Sequence, residues 1–257
     1  MIRGTNSVTA LGLVFLTGSV ALAQAPAGGG QRAGGPPPPP SNLQVMAKDS
    51  TREQVLATMQ AFTQSLGVQC NYCHVQEGRG GRNDMAADEK PTKKAAREMM
   101  LLARDINAKL PAAVSKASDA TTRVGCATCH RGVAIPKQIT DIMTEASAAG
   151  GAAAGVAKFK ELREKFYGGQ SYDFSEGAFI AMAQRANAAT KYDDALTYLQ
   201  ANLEYYPKSA RTYSAIAQMK NAKGDKAGAI QALEKAVELD PNNQQTKMQL
   251  QQLKGQQ

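Results

Sequence analysis

Two five-residue motifs contain every cysteine and histidine of this 257-residue chain. The first motif is Cys70-Asn71-Tyr72-Cys73-His74 and the second motif is Cys126-Ala127-Thr128-Cys129-His130. In each motif, two thiols three positions apart can bond to one flat macrocycle while the adjacent imidazole binds the metal at its centre. The spacing therefore predicts two covalently bound haem c groups. The predicted attachment residues are Cys70, Cys73, Cys126 and Cys129, and the predicted iron ligands are His74 and His130.

Three other uses of four cysteines agree less well with the pattern. A disulfide framework does not explain a histidine directly after each second cysteine. A zinc site built from two cysteine pairs needs neither histidine, and the pairs are separated by 53 residues. A thioredoxin-like redox pair needs a βαβ context that the sequence does not contain.

Methionine is the expected second axial ligand, because no third histidine exists and both irons cannot have two. A first helix is predicted from a capping box at Ser50 and Glu53 to a stop at Gly67. Met59 lies in the middle of its apolar stripe. We expect Met59 to ligate the first haem.

A second helix is predicted to start near Pro91, with Met99 at the centre of one apolar face. Met100 lies about 100° around the same helix, so the sixth position of the His130 haem has three candidates: Met99, Met100 or an open site. Arg131 is a candidate propionate contact, and the Gly- and Arg-rich loop 78–82 is either a second one or a solvated insertion.

The first 40 residues are typical of an exported protein. Arg3, an apolar stretch and the sequence Ala21-Leu22-Ala23 predict a signal peptide over 1–23, cleaved after about Ala23, and hence a periplasmic protein. Residues 24–40 form a Gly- and Pro-rich linker. We expect no transmembrane anchor in the mature chain, because no later stretch is apolar enough.

The remainder divides into a dihaem domain over 41–140, a linker and adaptor helix over 141–169, and a repeat region over 170–257. Pairs of similar residues recur 34 positions apart, which resembles the tetratricopeptide repeat. The pairs are Phe179 and Tyr213, Ala183 and Ala217, Ala195 and Ala229, Leu199 and Leu233, Pro207 and Pro241. The predicted fold class is all-α: a dihaem cytochrome c domain with little regular structure beyond its helices, then an array of helical hairpins.

The charge balance does not favour a nucleic-acid-binding protein. The formal net charge is +8, and residues 41–140 contribute 14 basic and 9 acidic side chains. The propionates of two haems offset much of that local excess, and a basic rim would suit an acidic redox partner.

Residues 41 to about 136 resemble the cytochrome subunit of photosynthetic reaction centres. The resemblance lies in Asn42–Val45, the Met59 helix, the first motif, the Ala96–Met99 helix that ends in Asp105–Asn107, and Cys126–Gly132. It implies a histidine from each motif and a methionine from the preceding helix, hence His74 with Met59. That subunit has four haems, so this chain resembles half of it.

We therefore expect an electron-transfer protein rather than an enzyme, with protein redox partners and a further protein bound to the repeats. One alternative is a dihaem peroxidase-like or ligand-sensing protein that uses the His130 haem, with Arg97 and Glu98 in place of a distal histidine. Another is an interaction module whose haems sense redox state.

Overall fold

The computed structural model describes residues 39–76 and 83–255. The predicted signal peptide, most of the Gly- and Pro-rich linker and the loop 78–82 lie outside these residues. The described part is helical apart from one short antiparallel ribbon, in which β1 (Val75–Gln76) pairs with β2 (Asn83–Asp84). The helices are α1 (Arg52–Leu66), α2 (Pro91–Ala113), α3 (Cys126–His130), α4 (Ile139–Phe166), α5 (Glu176–Ala188), α6 (Tyr192–Tyr205), α7 (Ala210–Ala222), α8 (Lys226–Leu239) and α9 (Gln244–Gly255). The predicted all-α class is confirmed.

The ends of α1 follow from local side-chain chemistry. Its capping box is formed by Thr51 and Gln54, one residue after the predicted pair Ser50 and Glu53. The Ser50 hydroxyl instead donates to the carbonyl of Ala47, which removes it from capping. At the other end Gly67 has φ 64°, a left-handed conformation that glycine adopts without steric cost, and the helix ends there as predicted.

The second helix also begins where the sequence indicates. Pro91 is at the first helical position of α2, where its missing N–H removes no helical hydrogen bond. The helix continues through Pro111 and ends with Val114 as its C-cap. It is the long element of the region that contains both motifs.

The repeat region has the predicted 34-residue period. Helices α5, α7 and α9 begin at residues 176, 210 and 244, and α6 and α8 begin at 192 and 226. The small residues that the pattern placed between paired helices, Ala183, Ala217, Ala195 and Ala229, are all buried. They let the helices of each hairpin approach closely, which is the arrangement of tetratricopeptide-like hairpins.

Helix α4 extends over most of the segment 141–169, which the sequence predicts as a linker and an adaptor helix. The segment is helical on both sides of Gly150 and Gly151, whose backbone angles are not helical. A Cβ atom at Gly155 would lie 3.1 Å from the carbonyl oxygen of Met143, although 12 residues span about 18 Å in a straight helix. The chain therefore folds back at the two glycines and forms a helical hairpin ahead of α5.

The main hydrophobic core of the described residues is formed by α4 and the repeats. It extends from Ile139 and Met143 in α4 through Phe159 and Phe179 to Leu233 in α8. In the described residues before Ile139, by contrast, the buried hydrophobic side chains are Val75 and Val133.

Among the described residues, no helix is both long and apolar enough to cross a membrane.

Candidate functional site

Each motif folds as a single turn that brings its two cysteines to one side. The first motif forms a 3-10 turn over Cys70–Tyr72, and the amide of His74 donates to the carbonyl of Cys70 at 3.0 Å. The second motif is α3 itself. Residues three positions apart are neighbours on such a turn, so the thiols of each pair are directed toward a common surface.

Both imidazoles are oriented by a backbone carbonyl. The Nδ1 atom of His74 is 2.9 Å from the oxygen of Met85, and that of His130 is 3.0 Å from the oxygen of Val133. A carbonyl can only accept a hydrogen bond, so the proton of each ring lies on Nδ1. The lone pair of Nε2 is therefore available in both rings, which is the arrangement of a metal-binding histidine.

The surroundings of the first motif favour the neutral imidazole that binds metal. Burial lowers the pKa of His74; its hydrogen bond to Met85 opposes this, and the positive charges of Lys93 and Arg97 lower the pKa further. Burial also raises the pKa of the Cys73 thiol, against the hydrogen bond from Thr92.

Helix α2 connects the two motifs. At its start the Thr92 hydroxyl donates to the carbonyl of Tyr72, between the two cysteines of the first motif, at 2.6 Å. Near its end Asn107 forms two hydrogen bonds with the backbone of Val124, at 2.8 and 2.7 Å, two residues before Cys126. Asn107 lies 15 positions after Thr92, which corresponds to about 22 Å of helix. One rigid element thus sets the separation of the two sites.

The end of α1 packs on the second motif. The amide of Gly132 donates to the carbonyl of Ser65 at 2.8 Å. A Cβ atom at Gly67 would lie 2.1 Å from the backbone oxygen of Gly132, so only glycine permits this approach. Helix α1 directly precedes the first motif in the sequence, and this contact also joins it to the second motif.

The candidate methionines lie on different surfaces. Met99 is 55% exposed on a face of α2 that also presents Leu102 and Ile106, both exposed. Met100 is half-buried, as is Ala103 on the same side of the helix. Met59 is half-buried on α1.

The apolar side chains around the motifs have few protein neighbours. Helices α1, α2 and α3 contain no buried residue. Large exposed hydrophobic residues of this region are Leu56, Tyr72, Met85, Met99, Leu101, Leu102, Ile106, Val114 and Ile135. Exposed apolar surface of this extent is typical of a site for an apolar group. Paired thiols, available Nε2 atoms and apolar walls fit a covalently held haem at each motif.

Arg131, the predicted propionate contact, lies directly after the second motif. It has φ 49° and lines a cavity of about 530 Å³ together with Thr128 and with Gln170, Tyr172 and Asp173 from the loop before α5. On a helical turn, Thr128 points away from Cys126 and Cys129. The carbonyl of Arg131 accepts a hydrogen bond from Ser171 at 2.7 Å, which links the second motif to the repeats.

The sequence does not predict a polar network that lies beside the first motif. Asp88 forms ion pairs with Arg97 at 2.9 Å and Lys93 at 3.2 Å, and Gln44 donates to it at 2.9 Å. The Arg97 guanidinium, together with Asn42 and Lys93, holds the pKa of Asp88 well below its ordinary value. These residues come from three separate segments, so no local pattern marks them.

The chain matches the family model described as photosynthetic reaction centre cytochrome C subunit over residues 40–227. The match covers more than half of the chain and continues past the second motif into the repeats. Proteins of this description are c-type cytochromes of electron transfer, with covalently bound haem c.

Individual relatives match a little more than a third of the chain. Cytochrome c-554 of Chloroflexus aurantiacus is 38% identical over 89 residues, which are 35% of this chain and 20% of that protein. The photosynthetic reaction center cytochrome c subunit of Thermochromatium tepidum is 38% identical over 98 residues, 37% of this chain and 21% of the relative. The subunit of Roseobacter denitrificans is 34% identical over 100 residues, 38% of this chain and 25% of the relative. The matched segments thus span a quarter or less of these relatives.

We predict that Gly67→Ala destabilises the region of the two motifs more than its matched control Gly224→Ala. Both glycines have positive φ, 64° and 83°, but a Cβ atom at Gly224 meets nothing within 4 Å. The control should cost about 1–2 kcal/mol for the left-handed conformation alone. Gly67→Ala adds a backbone clash, for a total of about 3 kcal/mol or more. Urea unfolding of the haem-loaded chains, followed by haem absorbance and by circular dichroism, measures both. Equal losses of stability would show that the approach of Gly67 to Gly132 is unimportant.

Proposed function

Because this chain belongs to the photosynthetic reaction centre cytochrome c subunit family, we propose that it is a periplasmic dihaem cytochrome that carries single electrons between protein partners. The observation that supports this best is the repetition of one site. Each motif has two cysteines on one turn and an imidazole whose Nδ1 is held by a carbonyl, at 2.9 and 3.0 Å. Two similar sites connected by α2 suit a short relay.

Some residues of each site hold the haem, and others orient the histidine that ligates its iron. Cys70 and Cys73 hold one haem, and Cys126 and Cys129 hold the other. His74 and His130 ligate iron through Nε2, with ring orientation set by the carbonyls of Met85 and Val133. A bound haem supplies reversible one-electron oxidation and reduction of iron. The protein keeps each ligand in one orientation, so little rearrangement accompanies the transfer.

The remaining axial ligands are assigned from the methionine helices. We assign Met59 to the His74 haem, because α1 directly precedes the first motif and Met59 lies on its apolar stripe. We assign Met99 to the His130 haem, because Met99 is 55% exposed within the described residues and so accessible to a haem, whereas Met100 is half-buried. Methionine ligands favour the reduced iron and suit a carrier.

The repeats serve for attachment to a partner in this proposal. Gln184, Gln218 and Gln252 recur at the 34-residue period on α5, α7 and α9, and all three side chains are exposed. Their exposure means that packing of the repeats does not require them. Such a row of amide groups suits the backbone of an extended protein segment. Ser171 then connects the binding region to the second motif through Arg131.

We predict two haems per chain, held independently. Mass spectrometry and haem quantification of the exported chain should give two covalent haems and a mature sequence that starts near Gln24. Cys70→Ala with Cys73→Ala should leave one haem, and Cys126→Ala with Cys129→Ala should leave the other, because each thioether pair belongs to one macrocycle. Cysteines joined in disulfides, or a bound zinc ion in place of haem, would contradict the proposal.

We predict that each proposed methionine ligand accounts for one methionine-to-iron band in the near-infrared spectrum. Met59→Leu should remove the band of the His74 haem and Met99→Leu that of the His130 haem, with two haems retained in both chains. Met100→Leu is the matched control and should leave both bands. Carbon monoxide should bind the reduced variants and not the reduced native protein. Binding to the native protein would favour the peroxidase-like or ligand-sensing alternative at His130.

We predict that the exposed glutamines of α5 and α7 mediate attachment to the partner. Gln184→Lys with Gln218→Lys should weaken binding by about tenfold or more, since it removes two adjacent interface side chains. Gln200→Lys with Gln231→Lys is the control, because these glutamines are exposed on α6 and α8. Partners are first isolated by cross-linking in the native periplasm, and affinities are then measured with the purified pair. Equal affinity of both double variants would refute this role for the row of glutamines.

A further inference from the structure

The ammonium group of Lys93 is bonded to the loop that orients His74. It donates to three consecutive carbonyl oxygens, those of Met85, Ala86 and Ala87, at 2.9, 2.9 and 2.8 Å. These bonds use all three donors of an ammonium group. The Lys93 side chain is 11% exposed, and Asp88 Oδ1 lies 3.2 Å from its nitrogen. The group is therefore fixed rather than freely solvated.

The carbonyl of Met85 has two donors. It accepts from Lys93 Nζ at 2.9 Å and from His74 Nδ1 at 2.9 Å. The corresponding carbonyl at the second motif is that of Val133, 3.0 Å from His130 Nδ1. Within the part of the chain that the structure describes, no lysine or arginine bond to Val133 oxygen is recorded. The two histidines thus have the same type of partner in different electrostatic settings.

A cation on the acceptor changes what the imidazole gives to iron. A carbonyl oxygen that already binds an ammonium group is a weaker acceptor, so Nδ1–H is polarised less and the ring donates less charge through Nε2. The positive charge of Lys93 also opposes the extra positive charge of oxidised iron. Arg97 compensates the charge of Asp88, so the local sum remains positive. Both effects disfavour the oxidised state.

We propose that Lys93 is a positioning residue for His74, and that its bond to the Met85 carbonyl raises the reduction potential of the His74 haem above that of the His130 haem. This inference rests on the proposed function, since it requires a haem at the first motif. It gives the relay a direction, because an electron is more stable on the His74 haem.

The test is a redox titration of the full haem-loaded chain with Lys93→Met. At a fixed ambient potential, we expect Lys93→Met to raise the ratio of oxidised to reduced His74 haem about tenfold, which is a fall in its reduction potential of about 59 mV. The reduction potential of the His130 haem should not change. The wave of the His74 haem is the one that remains in the Cys126→Ala, Cys129→Ala chain. Lys94→Met is the matched control: it removes the same charge from the exposed neighbouring lysine. Its effect should be smaller and should vanish in about 1 M salt, whereas that of Lys93→Met should persist.

A purely structural role of Lys93 is distinguished by the Nδ1 proton of His74 in the NMR spectrum. If this proton is retained in Lys93→Met, the histidine bond is intact and the change in potential is electronic. If the proton is lost in Lys93→Met, the test uses Lys93→Gln, which retains a hydrogen-bond donor but not the charge. Lys93→Gln should then lower the reduction potential of the His74 haem as much as Lys93→Met does. Equal shifts for Lys93→Met and Lys94→Met, or no shift at the His74 haem, would overturn the inference. Absence of haem from Cys70 and Cys73 in the native chain would instead refute the proposed function.

Discussion

The region of the two motifs depends on apolar helix surfaces that the protein itself does not bury. Helices α1 and α2 have the apolar stripes of core helices, yet they contain no buried residue. A helix with such a stripe gains most of its stability when another surface covers it. A flat apolar cofactor attached at each motif, as in the proposed function, would provide that surface. The repeats, in contrast, cover their own apolar surface with protein side chains from Ile139 to Leu233.

A few polar contacts set the geometry of the motif region. Asn107 forms two bonds to Val124, Thr92 donates to Tyr72, and the amide of Gly132 donates to Ser65. Each contact joins a helix to a motif rather than one helix to another. Hydrogen bonds have narrow preferred geometry, so they specify position where apolar packing alone would allow sliding. An electron carrier benefits from such restraint, because its ligands need to keep one arrangement in both oxidation states.

The repeats are joined to the redox region at one turn. Ser171, in the loop before α5, donates to the carbonyl of Arg131, directly after the second motif. The amide of the next residue, Gly132, is held by α1. The turn after the second motif is therefore fixed from both sides, by the redox helices and by the repeats. In the proposed function, this connection would position a partner bound to the repeats relative to the second motif.

The candidate site residues and the local elements could be predicted from the sequence. The motif residues, the starts of helices at prolines and caps, and the 34-residue period are properties of neighbouring residues, and local patterns record them. The position of the first cap was wrong by one residue because Ser50 and Thr51 have equivalent hydroxyl groups. Contacts between distant segments set the reversal of the chain at Gly150 and the choice of Met85 as the acceptor for His74. They also leave Met99 more exposed than Met100 within the described residues. The physical reason is that every residue has a carbonyl and every helix has several faces. Which of them is used depends on contacts between segments distant in the chain, and no local pattern marks those contacts.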